Sequence, residues 1–208
     1  MKRILLAGAT GLVGGHVLDR AERAGHDVIT VGRRSLGRPN REIITDFSEP
    51  IPLPTADAAI CTLGTTLKTA GSRAAFYAVD HDAVISFAVS AQQAGVNHFL
   101  IVTSVGANAR AAAYYPRVKG ETERDLEAMG FPRLDIVQPG LLLGQRSQKR
   151  TVEQWLQRLS PMINPALRGS LHRYRAISAK VVANALVTLC EQDEAGIYRH
   201  ENRALEQL

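Results

Sequence analysis

Short apolar runs alternate with amphipathic stretches along most of this chain. Residues 3–7 (RILLA) form an apolar run suited to a strand covered on both faces. Residues 12–24 then place Val13, Val17, Leu18 and Ala21 at helical spacing before Gly25 stops the pattern. Residues 28–31, 42–45 and 56–61 read as the second, third and fourth strands. A long helix is predicted next, with Ser72 as its N-cap, Phe76, Val79, Ala83 and Phe87 along one face, and Gly95 as its stop. Residues 98–103 read as a fifth strand, 115–129 as another helix, and 134–138 as a sixth strand closed by Pro139-Gly140. A last amphipathic helix starts at a Ser178 cap and runs through Cys190. This alternation predicts parallel crossover units, hence an α/β fold built on a doubly wound parallel sheet. The alternation breaks down between Arg146 and Arg175, a stretch rich in arginine that contains Pro161, Pro165 and the sole tryptophan, Trp155. Residues 141–177 are therefore expected to form a small C-terminal substrate-side lobe on a single domain spanning 1–208.

A chain of 208 residues with 45% hydrophobic content can bury one sizeable core and leaves little for a second domain. Cys61 and Cys190 stand apart in apolar stretches, without the paired spacing of a metal or redox motif, which fits a reducing compartment. The apolar run after Met1-Lys2-Arg3 ends at Gly8, short of a signal-peptide core or a membrane span. Together these lead to the expectation of a cytoplasmic protein with no membrane partner. The net charge is +5, but Lys and Arg are spread along the chain without interleaved aromatics. Nucleic acid is thus not an expected partner, and the charge reads as a bias towards anionic small molecules. His16, His26, His81, His98, His172 and His200 lack ligand spacing, so no metal is expected. The absence of G-x-S-x-G argues against a hydrolase. Nothing in the pattern sets the oligomeric state.

The first chemistry-bearing segment is GATGLVG at 8–14, between the first strand and its helix. A helix N-terminus offers unpaired N–H groups and partial positive charge, and glycine lets a diphosphate approach the backbone. Gly8, Thr10, Gly11, Leu12, Val13 and Gly14 are accordingly expected to hold a dinucleotide. The spacing is G-x-x-G-x-x-G, a departure from the G-x-G-x-x-G of longer dehydrogenases. After the second strand come Gly32-Arg33-Arg34 and no acid, the arrangement that suits a 2′-phosphate and hence NADP(H). Asp27 begins that strand, roughly 15–20 Å from Arg33 at about 3.3 Å per residue, and cannot supply the missing acid. Asp46-Phe47 follows the third strand where an adenine ring would lie; an ordinary turn cap is the competing reading.

Tyr115 and Lys119, four residues apart, are neighbours on one helix face. An ammonium beside a phenol favours the phenolate, and Pro116 in the first helical turn puts Tyr115 on the helix lip, where the dipole also favours negative charge. Ser104 ends the fifth strand at the carboxyl edge, where open parallel sheets bind ligands. Thr103 is its rival, and strand alternation lets only one of the two face the cleft; Ser104 is preferred because Thr103 continues the buried pattern.

GATGLVG, the strand-end GRR, CTLGTT at 61–66, VTS at 102–104, YPRVKGETE from Tyr115 and QPGLLLG from Gln138 resemble the short-chain dehydrogenase/reductase superfamily. More narrowly, the chain is similar to the small atypical branch that includes the Tat-interacting-protein oxidoreductase-like proteins and their bacterial relatives. The resemblance implies a Rossmann-type sheet with NADP(H) along its carboxyl edge. It further implies Ser104 as the carbonyl-orienting residue, Tyr115 as acid/base, and Lys119 as the group that stabilises the phenolate and binds ribose. Leu63, Gly64 and Thr65 would line the adenosine side, and Pro139 and Gly140 would flank the nicotinamide. The chain departs from the main branch in having TLGT for NNAG and no asparagine for the fourth member of the catalytic tetrad, a neighbourhood into which Asp80 falls. The gap of eleven between Ser104 and Tyr115 is also short for the superfamily.

Three functions use these groups. The leading one is an NADP(H)-dependent oxidoreductase acting on a carbonyl or alcohol; a sugar-nucleotide epimerase or dehydratase would return the hydride to its substrate; an NADP(H)-sensing regulator would need little turnover. Arg146, Lys149, Arg150, Arg158, Arg168, Arg173 and Arg175, offset only by Glu153 between them, are either a clamp for an anionic small-molecule substrate or a solvated basic face.

Overall fold

The computed structural model describes residues 1–143 and 169–208. Seven parallel strands form one sheet, built from β1 (Arg3–Ala7), β2 (Asp27–Gly32), β3 (Glu42–Ile44), β4 (Ala58–Cys61), β5 (His98–Val102), β6 (Arg133–Gln138) and β9 (Gly196–Glu201). Their order is β3-β2-β1-β4-β5-β6-β9, so the chain winds outward in one direction from β1 and in the other from β4. The reversal leaves a crevice at the carboxyl ends of β1 and β4, where doubly wound sheets place their ligands. Two three-residue strands, β7 (Leu141–Leu143) and β8 (Ala176–Ser178), pair beside it. The expected lobe at 141–177 falls largely outside the described residues, as do Trp155 and five of the basic residues assigned to it.

Helices cover both faces, which is why the central strands read as unbroken apolar runs. On one face α1 (Leu12–Arg23) and α6 (Ala179–Cys190) pack Val17, Ala21, Val182 and Leu186 against Ile4, Leu6 and Ile60. On the other, Val84, Phe87 and Ala91, together with Leu126 of α5 (Tyr114–Ala128), cover Leu5, Phe99 and Ile136. The expected caps are present: the Ser72 hydroxyl accepts from the Ala75 N–H and the Ser178 hydroxyl from the Lys180 N–H.

Two differences from the sequence reading stand out. The long helix is interrupted: after the one-turn α2 (Leu67–Ala70), α3 (Arg73–Tyr77) passes through a π-helical turn, Ala78–Asp82, into α4 (Ala83–Gln93). A π turn adds one residue and rotates the helix phase by about 100°. Asp80, a charged residue within that turn, is fully buried. The second difference is β9, which follows the helix expected to be last and extends the sheet beyond β6. Its sequence, GIYRHE, alternates partly buried and exposed positions and has no apolar run to announce it.

Beside β9 lies a buried ionic cluster. Asp135 accepts from Arg133 Nε (2.7 Å) and meets His98 Nε2 (2.7 Å) and His200 Nε2 (2.6 Å), while Arg133 also reaches Gln192 Oε1 (2.9 Å) and the Glu194 carbonyl (2.7 Å). Burial raises the Asp135 pKa, but the hydrogen bonds from His200, His98 and Arg133 outweigh it and hold the carboxyl well below the usual carboxylate range. A depressed folded-state pKa gives stability that is complete above the unfolded value of about 3.9 and is lost as pH falls below it. Asp135→Asn is therefore expected to cost about 2 kcal/mol at neutral pH. Denaturant titrations should show the gap to the unmodified protein narrowing below about pH 4; a gap unchanged by pH would contradict this.

Candidate active site

The glycine turn is fixed by packing as much as by ligand access. β1 delivers Gly8 at φ +87°, in the left-handed region that favours glycine, and the Gly11 N–H donates to the Gly8 carbonyl at 2.8 Å. A Cβ on Gly14 would stand 2.2 Å from the Gly8 oxygen and 2.6 Å from Thr62 Oγ1, and one on Gly8 would meet the same threonine oxygen at 2.6 Å. Thr62, whose hydroxyl donates to the Ala7 carbonyl at 2.9 Å, thus sets how closely β4 and the turn approach. Gly11 caps α1 without any side-chain bond, so the first N–H groups of the helix stay available to an anion.

A cavity of about 570 Å³ opens at this crevice, walled by Gly8, Thr10, Gly11, Leu12, Arg33, Arg34, Phe47, Leu63, Gly64 and Thr65 among others. Of the turn residues singled out in sequence, Val13 is buried in the core and Gly14 is packed behind the turn; neither is a wall. Arg34 Nη2 lies 3.4 Å from Thr10 Oγ1, which brings the end of β2 against the glycine turn. Asp27 is at the opposite edge, bonded to Arg3 Nε at 2.8 Å. Sequence reading overlooked Glu42, an acid that does reach this wall. Its carboxylate is taken up by the Ser35 hydroxyl (2.7 Å) and the N–H groups of Leu36 (2.7 Å) and Arg38 (3.2 Å), and those bonds, Ser35's first, hold its pKa below the ordinary value.

Asp46 and Phe47 part ways. The exposed Asp46 carboxylate accepts from the Ser48 N–H (2.9 Å) and hydroxyl (2.7 Å) as a turn cap and is not a wall. Phe47, at φ +65°, turns inward to pack edge-on against Phe87 at 6.4 Å and reaches the cavity.

The proton-handling candidates lie beyond the Gly64 wall. A Cβ on Gly64 would stand 3.4 Å from Asp80 Oδ1 and 3.6 Å from Lys119 Nζ, so the cavity abuts that pair directly. Lys119, on the inner face of α5, is 5% exposed and ion-paired to Asp80 Oδ1 at 2.7 Å. The other Asp80 oxygen accepts the Thr65 N–H at 2.8 Å, and the Thr122 hydroxyl donates to the Asp80 carbonyl at 2.9 Å. Burial works against the ammonium, but Asp80, and after it Tyr115, more than compensates and raises the Lys119 pKa. Tyr115 stands on the first turn of α5, 37% exposed, with its ring 5.6 Å from that of Phe76.

Thr103 and Ser104 both follow the end of β5 at Val102, and their side chains part ways. The buried Thr103 hydroxyl donates to Glu123 on α5. The Gln138 amide completes that cluster, its Nε2 donating to both Glu123 oxygens at 3.0 Å. Burial outweighs these bonds and raises the Glu123 pKa. The Ser104 hydroxyl is buried and has no hydrogen-bond partner among the described residues. Its loop is tied to the rest of the site: the Val105 N–H donates to the Pro139 carbonyl and the Asn108 N–H to the Pro116 carbonyl, both at 2.9 or 3.0 Å. Gly120 permits this, since a Cβ there would lie 2.1 Å from the Ala109 nitrogen.

Gly140 is held at the end of β6 by Asn202, whose Oδ1 accepts the Gly140 N–H and whose Nδ2 donates to the Arg175 carbonyl, both at 2.8 Å. Asn202 opens α7 (Asn202–Leu205) directly after β9, and nothing in the sequence marked it. Of the basic residues expected around a substrate, Arg146, Lys149, Arg150, Arg158 and Arg168 lie outside the described residues. Arg173 is paired with Glu201 at 2.7 Å.

These features fit a dinucleotide: an uncapped helix end, a turn in which side chains are excluded, and a cavity whose Gly64 wall abuts the Asp80–Lys119 pair. Residues 4–121 match the NAD dependent epimerase/dehydratase family. The chain belongs to this family. A curated member-like relative, the mitochondrial protein fmp52 of Aspergillus fumigatus, is 33% identical over 202 residues, covering 90% of this chain and 86% of its own. Among solved structures, the human epimerase family protein SDR39U1 with NADPH is similar at 19% identity and a TM-score of 0.68, over 96% of this chain and 74% of that one. MoeE5 in complex with UDP-glucuronic acid and NAD is similar at 19% identity and a TM-score of 0.71, over 95% and 75%. At such identities the two structures establish the Rossmann-like fold.

The epimerase/dehydratase relatives also correct the expected cytoplasmic location. Fungal proteins 30–37% identical to this chain are named as mitochondrial, not cytoplasmic. The cysteine argument carried no such resolution, because Cys61 and Cys190 are both buried thiols whose pKa burial pushes up to about 12. Thiols so far from ionisation are inert in any compartment. Among the described residues no helix is long and apolar enough to cross a membrane, and no group of three or more His, Cys, Asp or Glu is placed to hold a metal ion.

Proposed function

We propose that this epimerase/dehydratase-family chain is an NADP(H)-dependent oxidoreductase of the atypical short-chain branch, acting on a carbonyl or alcohol. The observation that carries this reading is the buried, unpartnered Ser104 hydroxyl on a loop pinned to both β6 and α5. A buried hydroxyl without a partner is costly, and a substrate oxygen would satisfy it.

A bound nicotinamide would supply or accept the hydride at its C4. The glycine turn and the α1 N-terminus would hold the pyrophosphate, Arg33 and Arg34 would take the 2′-phosphate, and Leu63, Gly64, Thr65 and Phe47 would enclose the adenosine side. Pro139 and Gly140 would lie on the nicotinamide side. The Ser104 O–H donates to the substrate oxygen and orients it. The Tyr115 hydroxyl gives its proton to that oxygen in reduction and takes it back in oxidation. Lys119, kept charged by Asp80, stabilises the phenolate left behind and reaches the ribose. Asp80 thereby fills the neighbourhood of the absent tetrad asparagine.

The test is to follow nicotinamide absorbance with a panel of aldehydes and ketones. Stoichiometric NADPH binding with no hydride transfer to any of them would refute the oxidoreductase reading. The family match favours one second reading, a sugar-nucleotide epimerase or dehydratase, in which Ser104, Tyr115 and Lys119 act alike and the hydride returns to the substrate. The relatives' names support placing this chemistry in mitochondria.

Cofactor choice is separately testable. Arg33 and Arg34 wall the cavity, and the one acid there, Glu42, is occupied by Ser35 and Leu36. Removing a charge-assisted bond costs about 1.5–3 kcal/mol. Arg33→Ala is thus expected to weaken NADPH roughly ten- to a hundredfold and leave NADH nearly unchanged. Equal affinity of the unmodified protein for the two cofactors, by calorimetry, would contradict it.

A further inference from the structure

Several exposed arginines meet carboxylates, as in Arg23–Asp19 at 2.9 Å, Arg124–Asp125 at 2.7 Å and Arg173–Glu201 at 2.7 Å. The exposed Arg73 and the half-buried Arg117 do not. No carboxylate pairs with either among the described residues; instead both guanidiniums converge on the ring of Tyr114, with Cζ 5.1 Å and 5.6 Å from its centre. The ring itself is fixed: its hydroxyl donates to the Arg73 carbonyl at 2.8 Å, and it packs on Phe76 at 6.0 Å. Phe76 is fully buried and also holds the Tyr115 ring at 5.6 Å. Thr69, four residues before Arg73, walls the dinucleotide cavity.

Two cations held around one aromatic ring repel each other over a distance on the order of a Debye length. The ring's quadrupole attracts each of them but leaves their charge unneutralised and their N–H donors free for an oxyanion. We propose that Arg73 and Arg117, positioned by Tyr114, form an anion-binding site that takes a phosphate group of the substrate beside Tyr115. That the anion belongs to a substrate rests on the oxidoreductase reading; the anion site itself rests on the two guanidiniums and the ring between them. Planar guanidiniums match phosphate oxygens bidentately, and a phosphate dianion is the ligand that two of them would neutralise. The site differs from the basic stretch after Gly140, and from Arg33 and Arg34, which belong to the cofactor.

The experiment is a calorimetric titration of inorganic pyrophosphate into the protein saturated with NADPH, so that the glycine turn is filled. Pyrophosphate is expected to bind, and Arg73→Gln and Arg117→Gln are each expected to weaken it about tenfold or more. NADPH affinity, measured separately on each variant, should stay unchanged and certify that the fold is intact. Undetectable pyrophosphate binding, or binding that neither substitution weakens, overturns the site. Failure of NADPH itself to bind refutes the oxidoreductase reading instead. The anion site is then judged on the arginine-dependent part of pyrophosphate binding to the protein alone.

Discussion

Replacing Tyr115 by Phe is expected to lower turnover by about 10²–10⁴-fold, the usual contribution of a positioned general acid or base, while NADPH affinity and folding stability hold. The expectation of intact folding comes from what the side chain touches. The ring packs against Phe76, a contact that phenylalanine reproduces, and the hydroxyl makes no hydrogen bond among the described residues. A hydroxyl with no structural partner, on a residue 37% exposed at the lip of α5, is free to serve a substrate. If the variant turns over at the unmodified rate on an identified substrate, Tyr115 is not the proton-transfer group and the sensing role gains weight. If NADPH affinity falls together with turnover, the phenol is serving the cofactor as well.

The parallel sheet and the cavity were legible because the physics that builds them is local. RILLA followed by GATGLVG encodes a buried strand, a turn that excludes side chains, and a helix end, all within twelve residues. The preference for Ser104 over Thr103 rested on strand alternation, but β5 stops at Val102; what occupies the Thr103 hydroxyl is Glu123, from α5. What escaped depends on contacts between distant segments. Asn202 matters because it bridges Gly140 and Arg175, and Glu42 because three groups of the 35–38 loop close on it. Asp80 was visible as a residue but not as a buried one. Helical spacing sets it beside Phe76 and Ala83, on the apolar face, but the partners that let a charge be buried there, Lys119 and the Thr65 N–H, come from distant segments.

Its buried pairing with Lys119 makes Asp80 the most consequential single charge in the site. Asp80→Asn is expected to destabilise the protein by about 3–5 kcal/mol, since it strands Lys119, 5% exposed, without its counter-ion. Burial, the largest influence on Lys119, would then act unopposed by its main partner and drive the pKa down from its raised value. A neutral Lys119 cannot stabilise a phenolate, so turnover should fall with stability. The two effects separate in a second variant. Asp80→Asn combined with Lys119→Met removes both charges, and because a buried pair replaced by neutral groups is often near neutral in energy, much of the stability should return. Activity should not, as the ammonium is gone. Denaturant unfolding of the two single variants and the double variant measures the coupling directly. An Asp80→Asn protein that unfolds at the unmodified midpoint would show that the 2.7 Å pair does not hold α5 to the π turn, and with it would fall the assignment of Asp80 as the group that keeps Lys119 charged.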